Sequence, residues 1–273
     1  MILLALMFAG TALLYASVGF GGGSTYNALL VLHDADYRVL PAIALVCNLI
    51  VVTGGVWRFG AAGLLRLGRI APFIVSSIPL AWLGGRMPVS ETLFVGLLGG
   101  SLLLAGVHLF FGPRGETQSA APAASALSAP LFLSLPLPLP LSLPLALALG
   151  AGGALGFLAG VVGIGGGVFL APLLYFMRWG PAREIAAAAC FFIFVNSISG
   201  LAGQLTQLGE ARLLPALAAY WPLFPAVLIG GQVGSRLGAL KLPETAIRRL
   251  TATLMIYVAV RLLWRWAQLA LGF

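Results

Sequence analysis

Charge is scarce in this sequence. Only 8% of its 273 residues are Asp, Glu, Lys or Arg, where a soluble domain carries about a quarter. Sixty per cent are hydrophobic and the mean hydropathy is +1.05, which excludes a soluble domain and implies a polytopic membrane protein. Cysteine is nearly absent: Cys47 and Cys190 each sit inside an apolar segment, so neither a disulfide framework nor a metal site is indicated. Acidic residues number 7 against 15 basic ones, a net charge of +8. The basic residues are scattered singly between apolar segments, which fits loop ends flanking membrane helices and not a nucleic-acid surface.

The carboxylates, Asp34, Asp36, Glu91, Glu116, Glu184, Glu210 and Glu244, all fall at segment ends or in loops. His33 lies in a loop and His108 near the end of the fourth apolar segment. Proton- and sodium-driven carriers commonly place such groups within the membrane. Coupling is therefore absent or carried by the substrate's own protonation. There is no nucleophile elbow, no His/Cys/Asp cluster with metal spacing and no phosphate-binding Lys motif. No catalytic residue, metal ligand or cofactor is assigned, and the protein is read as a non-enzyme.

What the chain does have is glycine, 36 residues of it. Its most telling use occurs twice, as Gly19-Phe20-Gly21-Gly22-Gly23 and Gly163-Ile164-Gly165-Gly166-Gly167. Each run interrupts an apolar segment, where a glycine costs roughly 1 kcal/mol relative to alanine in a helix. A helix broken at membrane depth is tolerated where it faces protein or a watery cavity, and so marks a ligand path. Close packing through small residues is the plainer explanation, but the pairing of two clusters at matched places favours a site.

Apolar segments are expected at Met1 to Ala16, restarting as Ser24 to Leu32, then at Leu40 to Trp57, Ile70 to Leu83 and Thr92 to Phe111. The N-terminal segment lacks a Lys/Arg n-region and is read as a retained helix, not a signal peptide. The second half supplies Leu145 to Met177 with its glycine break, Ile185 to Ala202, Leu213 to Leu228 and Ile247 to Trp266. Between the halves lies an Ala/Ser/Pro-rich linker, residues 113–144, including Leu135-Pro136-Leu137-Pro138-Leu139-Pro140, where alternate prolines predict an extended lead-in to about Leu141. The halves, residues 1–112 and 145–273, match beyond their glycines. Asn48 precedes Gly54-Gly55 and Asn196 precedes Gly200 and Gly203; Pro79 precedes Gly84-Gly85 as Pro225 precedes Gly230-Gly231; Glu91-Thr92 and Glu244-Thr245 open the final segments. The expected fold is thus an all-α membrane protein of two homologous four-helix repeats, about eight segments, with a Gly-broken first helix in each.

The run Gly163-Ile-Gly-Gly-Gly-Val-Phe-Leu-Ala-Pro172, then Cys190-Phe-Phe-Ile-Phe-Val-Asn196-Ser-Ile-Ser-Gly200, resembles the second-repeat signature of the TauE/SafE sulfite exporter family. Asn48-Leu-Ile-Val-Val, Trp57-Arg58-Phe59 and the stretch Pro79 to Gly85 are similar to the family's first repeat, and the resemblance covers nearly the whole chain outside the linker. One stretch departs: Ala187-Ala188-Ala189 stands where many members have Gly-Thr-Ser. The resemblance implies a multi-pass transporter of the cytoplasmic membrane moving sulfite, sulfonates or related sulfur anions, with an anion channel or a non-transporting scaffold subunit as alternatives.

The residues themselves can support anion binding. A broken helix exposes N–H donors carrying partial positive charge at the start of its second half. Candidate substrate contacts are Gly21, Gly22, Gly23 and Ser24 with Asn48 in the first half, and Gly165, Gly166, Gly167 and Val168 with Asn196 and Ser199 in the second. Ser197 and Gln204 lie on the same stretch and are read as packing groups; Arg86 and Arg236 are read as flank charges that set topology. Expected partners are a small anion and the lipid bilayer, with no nucleic acid. Eight simple crossings would make the repeats parallel and divide loop charges almost evenly. If the glycine clusters turn re-entrant hairpins, or Leu131 to Gly150 adds a crossing, Arg58, Arg66 and Arg69 share a side with Arg178, Arg183, Lys241, Arg248 and Arg249; that inverted arrangement is the expectation.

Overall fold

The computed structural model describes residues 1–17, 19–111, 143–177, 179–239 and 244–271. The extended lead-in and nearly all of the linker fall outside the described residues. Among those described, eleven helices and no strand occur: α1 (Ile2–Ser17), α2 (Gly23–Leu32), α3 (Leu40–Ala61), α4 (Leu67–Arg86), α5 (Glu91–Phe111), α6 (Leu143–Val162), α7 (Gly167–Phe176), α8 (Ala182–Leu208), α9 (Glu210–Ala219), α10 (Leu223–Ala239) and α11 (Glu244–Leu271).

The breaks follow from local chemistry. Gly22 caps α2 with φ 91°, and Gly165 and Gly166 lead into α7 with φ 72° and 76°, left-handed values that a side chain resists. The half-helices start one residue earlier than expected, at Gly23 and Gly167. The segment expected at Leu213 to Leu228 is two helices bent by 63°, parted at Tyr220-Trp221-Pro222, where the proline has no N–H to continue the ladder. By length and composition, four described helices can cross a membrane, namely α3, α4, α6 and α8, or five if α9 and α10 form one bent span. This is fewer than the eight segments expected: the glycine break leaves pieces of 16 and 10 residues in α1 and α2, short of the ~20 that a crossing needs, and α5 and α11 do not qualify over their described residues.

Helix pairing brings the halves together. Gly152, Gly156 and Gly160 of α6, one per turn, press on Phe73, Ser77 and Ala81 of α4, so closely that a Cβ on any of them would strike the α4 backbone. Gly230 and Gly234 of α10 press on Ala9 and Leu13 of α1 in the same manner. In both pairs the contacts advance together, so the partners run in the same direction. α5 and α11 run oppositely, with Gly96, Gly99 and Gly106 meeting Trp266, Leu263 and Ile256. So do α3 and α8: Leu45 touches Gly200, the Cys190 thiol donates to the Val52 carbonyl at 3.5 Å, and Arg66, beyond the end of α3, reaches Glu184 near the start of α8. Apolar side chains such as Ile2, Trp57, Leu104, Phe111 and Trp264 remain exposed on the outside, as a lipid-facing surface requires.

Candidate functional site

Asn48, in the first half of α3, stands between the two glycine breaks. A Cβ on Gly21 would overlap its Oδ1, and one on Gly23 its Nδ2. From the other half, the position a Cβ would take on Gly165 lies 3.3 Å from the same Nδ2 and 3.1 Å from the Ser197 hydroxyl. One amide therefore touches the starts of both half-helices, α2 and α7. The turns also lean on each other's halves, Gly19 on Ala186 of α8 and Gly163 on Pro41 of α3. Asn27 ties them further: its Nδ2 donates to the carbonyl of Val162, the last residue of α6, at 2.5 Å.

The polar inventory of this region does not close on itself. The first N–H groups of a helix have no intrahelical acceptor. Here the amides of Gly21, Gly22, Gly23 and Ser24, and of Gly165, Gly166, Gly167 and Val168, have no backbone or side-chain acceptor among the described residues. Both amide atoms of Asn48 and the hydroxyls of Ser24 and Ser197 are buried without a partner. Asn48 and Ser197 are 0% exposed and Ser24 3%. An unpaired buried polar group costs about 1–3 kcal/mol, and several at one place can be satisfied by a polar ligand or by water. Donors dominate, with partial positive charge from two helix ends and no carboxylate, so the arrangement suits an oxyanion.

Not every expected residue joins it. Asn196 donates through Nδ2 to the Phe192 carbonyl of its own helix at 2.9 Å, leaving its Oδ1 buried and unpartnered. From α8, the side chains that meet Gly165 and Gly167 are Ile193 and Ser197, so the position facing the second turn as Asn48 faces the first is taken by an apolar residue. The Ser199 hydroxyl donates to the Ile78 carbonyl of α4 at 2.6 Å and holds two helices together. Gly22 and Gly166 line packing contacts, with Tyr26 and Thr11 around the first and Phe192 and Ala159 around the second. The sequence reads Ser197 as a packing group and gives Asn27 no role; the available signal for Asn27 is an amide one turn into α2, directly after Ser24, Thr25 and Tyr26.

The polar side chains at the two breaks are buried. A cavity of about 400 Å³ bordered by Asp36, Arg38, Leu208 and Arg212 lies at the opposite ends of α3 and α8, and one of about 220 Å³ at Leu93, Leu97, Leu263 and Trp266 lies between α5 and α11; neither borders Asn48. On the other side Val52, Cys190 and Ile193, with Phe20, Val56, Phe59 and Phe194 around them, form an apolar plug. Among the described residues no group of three or more His, Cys, Asp or Glu stands close enough to hold a metal ion.

Residues 2–262 match the family described as Sulfite exporter TauE/SafE. The probable membrane transporter protein y4hK of Sinorhizobium fredii is 31% identical over 266 residues, covering 96% of this chain and 97% of its own. The probable membrane transporter protein YunE of Bacillus subtilis is 28% identical over 110 residues, 40% of this chain and 38% of its own. No solved structure matches.

Proposed function

The chain belongs to the sulfite exporter TauE/SafE family of membrane transporters, and we propose that it carries small sulfur oxyanions or sulfonates across the cytoplasmic membrane. The observation that supports this reading is the cluster of unpaired N–H groups at the starts of α2 and α7, gathered around Asn48 with the Ser197 hydroxyl alongside. Such donors complement three or more oxygens around one sulfur, and without a fixed cation the anion is held strongly enough to enter and weakly enough to leave. The sulfur class itself comes from the family's description.

The two halves act as inverted repeats, residues 1–112 and 145–273 joined by 113–144. Supporting this, α1 pairs with α10 and α4 with α6 through the same glycine spacing, so each half's first helix lies on the other half's penultimate one. Following helix directions from pair to pair, α1 rises and α2 returns towards one face, while α6 and α7 do so from the other. Arg58, Arg66, Arg69 and Arg183 then share a face with the start of α11. By the positive-inside rule that face is cytoplasmic.

The burial of Asn48, Ser24 and Ser197 favours a carrier with alternating access over an open channel, since these groups are not reached by solvent in this conformation. The test is flux: liposomes containing the protein should take up or release sulfite, thiosulfate or taurine faster than empty ones. Absence of flux across that panel rejects transport of this class.

A further inference from the structure

Arg58 lies in the last turn of α3, ten residues beyond Asn48, about 15 Å along the helix. A cation there is ordinarily a flank charge that completes the helix dipole and reaches outward to water. This one turns inward. Its Nη2 donates to Gln232 Oε1 of α10 at 2.8 Å and its Nη1 to the Ser235 hydroxyl. Gly54 makes room for the group: the place of a Cβ there is 3.0 Å from both Arg58 Nη2 and Gln232 Nε2.

The ion pairs elsewhere set it apart. Arg66 and Arg69 hold Glu184, and Arg265 holds Asp34 and Glu91. Among the described residues no carboxylate pairs with Arg58, and its two hydrogen bonds go to neutral acceptors. Three of the five N–H donors of a guanidinium therefore remain, beside the half-buried Gln232 amide nitrogen. A planar fork with spare donors recognises two oxygens of one anion at once. Beneath it lies the apolar plug, reached through Gly55, whose Cβ position is 2.7 Å from Cys190 Sγ. Beyond the plug is Asn48.

Resting on the transport reading above, we propose that Arg58, Gln232 and Ser235 form a second, peripheral oxyanion-binding site that loads the polar cluster at Asn48 from the Arg58 face. The plug of Val52, Cys190 and Ile193 separates the two sites. The peripheral site supplies the fixed positive charge that the Asn48 cluster lacks, so attraction and release are divided between two places.

Gln232→Glu is the deciding variant. It keeps the side chain's shape and its hydrogen bond to Arg58 but adds a carboxylate that neutralises the guanidinium. If Arg58 merely braces α3 against α10, the variant is as stable as the native protein or more so, and anion handling is unchanged. If the site binds oxyanions, the concentration of sulfite or taurine giving half-maximal thermal stabilisation, and half-maximal flux in liposomes, rises at least tenfold. Arg58→Gln should behave likewise. Native binding should also weaken as salt is raised, because attraction to an accessible charge is screened, whereas both variants should respond little. Native-like affinity and salt response in Gln232→Glu overturns the second site while leaving transport standing. Anion stabilisation that Gln232→Glu removes, in a protein showing no flux, keeps the site and rejects the transport reading. No stabilisation and no flux in the native protein reject both.

Discussion

Asn48 and Gly165, from opposite halves of the chain, lie so close that a Cβ on the glycine would stand 3.3 Å from the asparagine Nδ2. Neither polar atom of that asparagine has a partner, although it is wholly buried. On the proposed transport reading, this amide between two glycine turns is a substrate contact.

Asn48→Ala should therefore separate binding from stability. Removing a donor to a charged ligand costs about 1–3 kcal/mol, roughly a five- to 150-fold rise in Kd. No hydrogen bond within the protein is lost, so the melting temperature should stay level or rise. A fall in Tm with unchanged anion affinity would show that Asn48 is interhelical glue. Ser197→Ala should follow the same pattern with a smaller loss of affinity.

Ser199→Ala should do the reverse. Its hydroxyl is spent on the Ile78 carbonyl, so the variant loses ~0.6 kcal/mol of stability and keeps native affinity for sulfite or taurine. Weakened affinity with unchanged Tm would return Ser199 to the site.

Gly23→Ala probes the contact between turn and amide. Gly23 has no left-handed φ, so alanine fits its backbone, but the added methyl overlaps Asn48 Nδ2. Overpacking of this kind costs about 1–3 kcal/mol. Pairing it with Asn48→Ala removes the obstruction, so the double variant should be more stable than the sum of its singles predicts, while flux stays lost. Additive melting temperatures would mean the two side chains do not meet.

Topology is open to labelling. With native cysteines replaced, cysteines introduced at Arg66 and Arg248 should react with an impermeant reagent from one and the same face of the membrane. Reaction from opposite faces would contradict the inverted arrangement.

Much of this was legible in the residues. Sparse charge and long apolar runs sufficed for a membrane protein, since no soluble core tolerates so little polar surface. The two glycine clusters marked where helices break, because left-handed φ at Gly22 and Gly166 is a local property of those residues. Asn48 could be singled out because a lone amide in an apolar run is costly wherever it points. What sequence could not decide was facing. Asn196 and Ser197 are neighbours in α8 and so project about 100° apart; matched motifs pointed to the asparagine, whereas the packing of α8 turned the serine towards Gly165 and the asparagine back onto Phe192. Contacts such as Asn27 with Val162, or Arg58 with Gln232, join residues more than a hundred positions apart. Those depend on which helices lie side by side, and helix packing is settled by the shape of whole surfaces, of which no single stretch of chain holds more than one side.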